Sequence, residues 1–314
     1  MGITKEEVGK SAVGLVRRII LGFAVIIIVV AAAYLTNHYI IEPYRQRQLT
    51  NDTTVTDEEN TQTVPVTEAS SQENEETIQA KYSALLDMNP EFVGKLYIDA
   101  IEETGFNVVQ CDDNEKYLTV GFKGETTRYG TLFVDYRNDV RELGTNTIIY
   151  GHNMRDGSQL GSLSTYSKLA TYKAYPTVKF NTIYKNNVWK VFAAFIINTK
   201  ESDDNGYVFP YRTLSFPSDE KFNEFIKDVK QRSYFTNDAV DILPTDKILT
   251  LSTCDTVFSE ARFVLMARLV RDGESAEVNV ENAKKNENQR FPQAWYDEKG
   301  KDNPFADANN FSVD

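Results

Sequence analysis

A run of uncharged residues near the N-terminus constrains what this chain can become more than any other feature of its sequence. No Asp, Glu, Lys or Arg lies between Arg18 and Glu42, and a helix needs about 20 apolar residues to cross a bilayer core. The run is longer than the apolar core of about 7–15 residues in a cleaved signal peptide. It therefore predicts an uncleaved membrane anchor within residues 1–41, with a signal peptide cleaved near the small residues 31–33 as the alternative.

Basic residues on the N-terminal side of the run predict its orientation. Four of them precede it, namely Lys5, Lys10, Arg17 and Arg18. Such an excess of positive charge stays in the cytoplasm, although Arg45 and Arg47 beyond the run weaken the asymmetry. We expect a single-pass protein of the cell membrane with a cytoplasmic N-terminus and an extracellular remainder.

The next segment, residues 42–77, is predicted to be an extracellular linker. Its stretch 48–77 carries eight acidic and no basic side chains, and it has few large apolar ones. Folding could not bury enough surface there to offset the entropy of ordering the chain. The whole chain has a formal net charge of −12, which repels polyanions and excludes nucleic acid as a partner.

Residues 78–271 show the pattern of one globular, mostly β domain. Short apolar or alternating runs recur between Gly, Asn, Asp and Pro residues, which is typical of strands separated by turns. They fall at 94–101, 106–110, 117–122, 131–136, 145–152, 177–183, 188–199, 247–254 and 262–270. Eight or so such strands predict a closed barrel or a sandwich.

Two helices accompany the strands. One is predicted just before Pro90, and the other is inserted ahead of the strand 247–254, where Ser218 can cap a helix that runs to Arg232. An apolar stripe on the second helix predicts core packing, and it consists of Phe222, Phe225, Ile226 and Val229. Residues 272–314 form a polar C-terminal tail, and its aromatic stretch 291–296 favours docking on the barrel over disorder.

The chain has two cysteines and two histidines, and this scarcity narrows the chemistry available outside the membrane. Cys254 ends a predicted strand, and His152 directly follows another. A lone cysteine is more often a buried packing residue, and a lone histidine is more often an ordinary loop residue. Cys111 is predicted to be such a buried packing residue. Together, at strand ends where catalytic groups concentrate, Cys254 and His152 predict a thiol–imidazole site. Outside the apolar run there is one histidine, and the chain has no C-x-x-C pair. We therefore expect no metal site and no cofactor.

A third candidate, Arg262, begins the strand that follows the cysteine. Its guanidinium is always charged and offers several donors, so it could stabilise a developing oxyanion, with an ordinary salt bridge as the alternative role. An imidazolium favours the reactive thiolate and can later protonate a leaving amine. Cys254, His152 and Arg262 would therefore suffice for acyl transfer. Arg268 shares the strand parity of Arg262, so periodicity does not separate these two arginines.

In combination, the motifs resemble those of a class B sortase. The motif TLSTC ends at Cys254 and is followed by an arginine-led strand. Three further segments are similar to that family, namely DDNEKYL (112–118), GTLFVDYRND (130–139) and NTIIYGHNMRDGSQLGSL (146–163). The resemblance covers about residues 78–271. It implies an eight-stranded β-barrel with an N-terminal helix and an inserted helix, in a membrane-anchored enzyme of the Gram-positive cell surface.

The resemblance also implies roles for particular residues. Cys254 would be the nucleophile, His152 the general acid and base, and Arg262 the group that positions the substrate and the oxyanion. Asn114 matches an active-site asparagine that would orient the histidine, and an Asx-turn role is an equal alternative. Ser252 and Thr253, within the TLSTC motif, are predicted to support the site.

The implied reaction is a transpeptidation that uses no cofactor. The thiolate would cleave the C-terminal sorting signal of a surface protein after Thr, and an amine of a peptidoglycan precursor would resolve the thioacyl-enzyme. Class B relatives favour signals such as Asn-Pro-Xaa-Thr-Asn, and some accept Pro-Xaa-Thr-Gly forms. The sequence does not decide between the two, and the segment 207–216 is predicted to shape the choice.

Three other functions stay open on the sequence alone. A cysteine endopeptidase with water as the acceptor needs the same residues, and the family resemblance disfavours it. A pilus-type sortase would use a lysine of another protein, and the lack of a recognisable lid over the site disfavours that. An anchored β-barrel binding module would leave Cys254 unreactive, so the reactivity of this thiol separates it from the enzymes.

Overall fold

The computed structural model describes residues 5–42, 44–45 and 78–313, and the chain divides into two compact units, Met1–Asp52 and Thr53–Asp314. The first unit contains helix α1 (Lys5–Thr36), which continues as a π-helical turn over Asn37–Ile41. Its 22 residues Ile20–Ile41 are long and apolar enough to cross a membrane, which is consistent with the predicted anchor. Residues 46–77 of the predicted linker lie outside the described residues.

Within residues 78–313, the second unit contains ten strands. They are β1 (Phe92–Ile98), β2 (Glu102–Val109), β3 (Leu132–Val134), β4 (Asn146–Tyr150), β5 (Thr177–Thr182), β6 (Val188–Asn198), β7 (Phe235–Thr236), β8 (Ile248–Cys254), β9 (Ala261–Leu269) and β10 (Lys284–Lys285). Eight of them close into a barrel in the order β1-β2-β3-β4-β8-β9-β6-β5, and β7 pairs with β10 outside it. The predicted eight-stranded barrel is confirmed, and the sandwich alternative is wrong.

Strand β6 explains why one segment of the sequence is apolar almost throughout. Trp189, Val191 and Ile196 lie in the core inside the barrel, whereas Phe195 and Ile197 belong to a second core on the outer face. A strand that is covered on both faces reads as a continuous hydrophobic run, because neither side of its pleat meets water.

The helix inserted between β7 and the preceding strand covers that outer face. This helix, α4, spans Asp219–Arg232. The other α-helices described in the second unit are α2 (Ser83–Met88), α3 (Leu169–Ala174) and α5 (Gln293–Lys299). The Ser218 side chain caps α4 by accepting a hydrogen bond from the Lys221 backbone N–H. The predicted stripe Phe222, Phe225, Ile226 and Val229 is buried, so its role as core packing is confirmed.

One predicted strand is wrong. The stretch 117–122 contains the end of a 3-10 turn at Lys116–Leu118 and a single bridge between Val120 and Thr126. Tyr117 is buried here for a different reason, since its hydroxyl bonds to Glu91 and receives a hydrogen bond from the Asn89 amide. Further 3-10 turns occupy Ala80–Tyr82, Leu163–Ser167 and Glu201–Asp203.

The chain after Arg271 packs against the rest of the second unit. Strand β10 pairs with β7, and Ala283, Tyr296 and Phe311 are buried. The aromatic stretch 291–296 contributes Phe291, whose ring lies 5.9 Å from the ring of Tyr234. This segment is therefore part of the packed unit over residues 272–313.

Candidate active site

The strand order brings the predicted site residues to one end of the barrel. Strands β4 and β8 run parallel, with Tyr150 opposite Ser252, so the residues that follow each strand lie at the same end. Strand β9 runs antiparallel to β8, and Arg262 is the register partner of Cys254. His152, Cys254 and Arg262 therefore lie at the same end of the barrel, although about a hundred residues of sequence separate His152 from Cys254 and Arg262.

These residues line one cleft of about 430 Å³. Its walls come from the barrel end and from the long loop between β6 and α4. Residues from the barrel side are Leu118, Tyr150, His152, Ser252, Cys254 and Arg262, and residues from the loop are Thr199, Tyr211 and Arg212. An acyl-transfer substrate can thus contact the thiol, the imidazole and the guanidinium from a single binding position.

Cys254 is exposed at the end of β8, whereas the two residues before it are buried. The Asn153 side-chain amide donates a hydrogen bond to the Cys254 carbonyl oxygen over 2.8 Å, which ties the histidine loop to the cysteine strand. Gly151 lies between β4 and His152 at a position where a Cβ atom would come within 2.9 Å of the Leu160 side chain. The loop that presents the histidine therefore needs glycine there.

The hydrogen bond of His152 distinguishes its two ring nitrogens. Nε2 lies 2.7 Å from the Leu118 carbonyl oxygen. A carbonyl oxygen only accepts hydrogen bonds, so Nε2 carries a proton in this arrangement. Nδ1 is then the atom that can take up and release a proton during a reaction.

The structure separates the two arginines that periodicity could not. Arg262 lines the cleft, its guanidinium lies 3.8 Å from the Glu260 carboxylate, and its side chain is 28% exposed. Arg268 is fully buried and binds both carboxylate oxygens of Glu274, over 2.5 and 2.7 Å. Six residues of strand span about 20 Å, so Arg268 lies towards the far end of the barrel. Of these two arginines, only Arg262 can reach a substrate in the cleft.

Asn114 also lines the cleft, but the hydrogen bond of its side-chain oxygen goes to another partner. That oxygen accepts from the Tyr136 backbone N–H over 3.1 Å, which joins two loops 22 residues apart. The Asx-turn alternative therefore does not describe this contact. That Asn114 orients His152 stays a prediction.

The two residues before Cys254 differ in their contacts. The Ser252 hydroxyl lies 3.0 Å from the Tyr211 hydroxyl, a contact that connects β8 to the loop forming the opposite wall. The Thr253 hydroxyl oxygen is buried and has no hydrogen-bond partner within the described part of the chain. Burial raises the pKa of Tyr211, so its phenol stays neutral and can donate to Ser252.

A carboxylate network lies behind the cleft. Asp135 is buried, accepts two hydrogen bonds from the Arg137 guanidinium over 2.8 Å each, and accepts a third from the Tyr150 hydroxyl, also over 2.8 Å. Burial alone would raise the pKa of Asp135, but these hydrogen bonds outweigh it and lower the pKa to about 2. Asp135 is therefore ionised and holds Tyr150 in the cleft wall.

Cys111 differs from its prediction, because it is half-buried rather than buried. Its thiol donates to the Asp113 carbonyl oxygen over 3.4 Å, and burial raises the pKa of this thiol. Ligand atoms of Cys111, Asp112 and Asp113 lie within 4.8 Å of one another. However, the Asp113 carboxylate accepts two backbone N–H groups, from Glu115 and Lys116, as expected of a turn residue.

The individual loop residues that line the cleft could not be predicted from the sequence. The segment 207–216 was predicted to shape substrate choice, but nothing in its composition marks Tyr211 and Arg212 as the two members that line the cleft with Thr199. Asn153 was also missed. No sequence pattern distinguishes Asn153 from other loop residues, and only the register of β4 and β8 shows that its amide reaches the Cys254 carbonyl oxygen.

Comparison with protein families gives a match to the Sortase domain model over residues 96–270. Among curated proteins, the chain is 36% identical over 188 residues to Sortase B of Listeria monocytogenes, covering 59% of this chain and 72% of that protein. It is 28% identical over 200 residues to Sortase B of Staphylococcus aureus, covering 63% and 78%.

Solved structures agree with this match. The Staphylococcus aureus sortase B–substrate complex is 29% identical to this chain and superposes with a TM-score of 0.55, over 62% of this chain and 87% of that one. The fold of this chain is thus similar to that of proteins with which it also shares sequence similarity.

Proposed function

Since the chain belongs to the sortase family, in class B, we propose that it is a cysteine transpeptidase with Cys254 as its nucleophile. One observation carries this proposal: the only histidine outside the apolar N-terminal run lies in the loop after β4, and it lines the same cleft as an exposed cysteine of β8 and an arginine of β9. A packing cysteine would be buried, whereas Cys254 is exposed.

In the first step, the Cys254 thiolate attacks the carbonyl carbon of a threonine in the substrate. The new S–C bond forms as the charge moves to the carbonyl oxygen, which the Arg262 guanidinium stabilises. The C–N bond then breaks, and the His152 imidazolium gives its Nδ1 proton to the leaving amine. The product is a thioacyl-enzyme together with the C-terminal fragment.

In the second step, an amine attacks the thioester carbonyl. Neutral His152 takes the proton of the attacking nitrogen, a C–N bond forms, and the thiolate of Cys254 leaves. The protons taken and given balance over the cycle, so the enzyme returns to its starting state. No metal or cofactor enters this account.

For the substrate, we propose surface proteins that carry a C-terminal Asn-Pro-Xaa-Thr-Asn signal, the form that class B enzymes favour, with Pro-Xaa-Thr-Gly as the second form to test. The acceptor we propose is an amine of a peptidoglycan precursor. A sortase B that is 28% identical to this chain has been solved in complex with triglycine, which supports a short, unhindered peptide amine.

We also propose the placement of the enzyme. Residues 1–41 would anchor it in the cell membrane with the N-terminus in the cytoplasm, and residues 42–77 would link the anchor to the extracellular catalytic domain at 78–271. The helix that can cross a membrane supports the anchor, and the basic residues that precede it support the orientation.

The proposed function is tested by incubating the purified chain with peptides of both signal forms, with and without triglycine, and identifying the products by mass spectrometry. We expect cleavage after Thr and a ligated product that depends on triglycine. Cys254→Ala should abolish both, whereas Cys111→Ala should abolish neither. Hydrolysis with no ligated product at any acceptor concentration would indicate an endopeptidase, and an unreactive Cys254 would indicate a binding module.

A further inference from the structure

The loop that forms the outer wall of the cleft, residues 199–218, is long and contains only one 3-10 turn. We call it the wall loop. Thr199, Tyr211 and Arg212 of this loop line the cleft with Cys254. A loop of this length keeps one conformation only if contacts outside it hold its backbone.

The second half of the wall loop is held by the barrel. The Asn146 side-chain amide donates to the Tyr211 and Thr213 carbonyl oxygens over 3.1 and 2.9 Å. Its own oxygen accepts from the Thr250 hydroxyl over 2.7 Å. Asn146 is fully buried in β4, so these bonds are shielded from water.

The first half of the wall loop is held by the C-terminal segment, residues 272–313. The Asp204 carboxylate accepts from the Gln293 backbone N–H at the start of α5. The Tyr207 hydroxyl donates to the Phe311 carbonyl oxygen over 3.1 Å. The rings of Phe209 and Phe311 lie edge to face with centroids 6.3 Å apart.

The C-terminal segment is itself firmly attached to the domain. Arg290, 7% exposed, donates its backbone N–H to the Gln231 carbonyl oxygen of α4 over 3.0 Å. The Asn286 amide donates to the Ser233 carbonyl oxygen over 2.8 Å, at the end of α4. A segment held by buried polar contacts of this kind forms one unit with the domain.

We propose that the C-terminal segment is a brace that sets the position of the wall loop and so determines how tightly the sorting signal binds. This inference rests on the proposed function. The family match ends at residue 270, so the brace lies outside the part of the chain that carries the family signature. Tyr207 and Phe311 act as positioning residues, because they reach the cleft only through the loop.

The test uses the full chain with three substitutions. Phe311→Ala removes the ring that packs on Phe209, and Tyr207→Phe removes only the hydroxyl that binds the Phe311 carbonyl. Tyr166→Phe is the matched control, because its buried hydroxyl donates to the Tyr175 carbonyl oxygen over 3.0 Å and its side chain does not line the cleft. Thermal unfolding establishes that each variant is folded.

We expect KM for the signal peptide to rise about 10-fold in Phe311→Ala and about 3-fold in Tyr207→Phe, since each loses contacts of ordinary strength. The turnover number kcat and the alkylation rate of Cys254 should stay close to those of the unchanged chain, because the brace does not touch the thiol. Tyr166→Phe should leave KM unchanged. Hydrogen exchange of residues 201–213 should be faster in Phe311→Ala than in the unchanged chain and in Tyr166→Phe.

The readouts distinguish this inference from the proposed function. A folded Phe311→Ala variant with unchanged exchange in the wall loop overturns the brace, and so does faster exchange with an unchanged KM. If the unchanged chain cleaves neither peptide, the proposed function fails, and the exchange measurement then decides for or against the brace alone.

Discussion

At the scale of single residues, two arginines of one strand have different roles, one in the proposed chemistry and one in the stability of the fold. Arg262 and Arg268 share one strand and one strand parity. One lines a cleft beside an exposed thiol, and the other is fully buried against Glu274. Sequence alone cannot tell these roles apart, because the difference lies in what the neighbouring strand and the C-terminal segment bring to each arginine.

Substitution of each arginine by glutamine should therefore have opposite consequences. Arg262→Gln should lower kcat/KM by about 100-fold or more, the usual effect of losing an oxyanion donor, and leave thermal unfolding nearly unchanged. Arg268→Gln should lower the free energy of unfolding by about 3 kcal/mol, because it removes two hydrogen bonds between a buried guanidinium and the Glu274 carboxylate. Its kcat/KM, measured where it is folded, should stay normal. Equal losses of activity in the two variants would contradict this assignment.

Asp135 gives the protein a pH-dependent contribution to stability. Its pKa is about 2 in the folded chain against an ordinary value of 3.8, so the ionised form stabilises the fold by about 2 kcal/mol above pH 5. Because the folded pKa is the lower one, that contribution is lost as the pH falls from about 5 to about 2.

Urea unfolding of the unchanged chain and of Asp135→Asn checks this prediction. The unchanged chain should be more stable at pH 7, and the difference between the two should shrink steadily between pH 5 and pH 3. A difference that stays constant over this range would show that the Asp135 charge is not the cause.

At the scale of elements, the parallel pairing of β4 and β8 creates the site. It places the residues after two strands at one barrel end, and the antiparallel β9 then adds Arg262. Eight of the nine strand segments and both helices were predictable from alternation, turn residues and a capping serine. The segment 117–122 was wrongly predicted as a strand. Its apolar Tyr117 fits a strand pattern, but this side chain is buried in a 3-10 turn with its hydroxyl bonded to Asn89 and Glu91.

The buried Asn146 shows what such patterns miss. In the sequence it lies near the start of the predicted strand 145–152, where nothing marks its side chain as a partner of distant backbone groups. In the fold it donates to two carbonyl groups of the wall loop and accepts from Thr250. Only the partners, which lie 65 or more residues away, reveal its role.

Asn146→Ala should lower the free energy of unfolding by about 3 kcal/mol, because it leaves two carbonyls and a hydroxyl in the interior without partners. Thr250→Val should cost about 1 kcal/mol, since it removes one bond and leaves both amide donors in place. The double variant should cost less than the sum, as expected for residues in direct contact. Additive costs in urea unfolding would contradict a shared network.

At the scale of the whole molecule, the sequence predicted the barrel and an apolar N-terminal helix long enough to cross a membrane. The three residues predicted for the site line one cleft. The combination of TLSTC with the histidine segment predicted class B, which the similarity to two Sortase B proteins supports. What the sequence could not supply was the arrangement of the C-terminal segment. Its contacts with the wall loop join Asp204 to Gln293 and Tyr207 to Phe311, and neither pair follows from a local pattern.

The proposed membrane orientation makes a prediction for intact cells. In a Cys111→Ala background, Cys254 is the single cysteine, and a membrane-impermeant methanethiosulfonate should label it equally in intact cells and in lysed membranes. The further variant Cys254→Ala is the control and should take up no label. Labelling that requires lysis would place the catalytic domain on the cytoplasmic side.

The most direct test of the central claim is the intact mass of the enzyme after mixing with the signal peptide in the absence of an amine. We expect a thioacyl adduct with the mass of the peptide up to its Thr, located on Cys254 by digestion and discharged by triglycine. An adduct on Cys111, or a chain that cleaves the peptide with no covalent intermediate and equally well as Cys254→Ala, would contradict acyl transfer through Cys254.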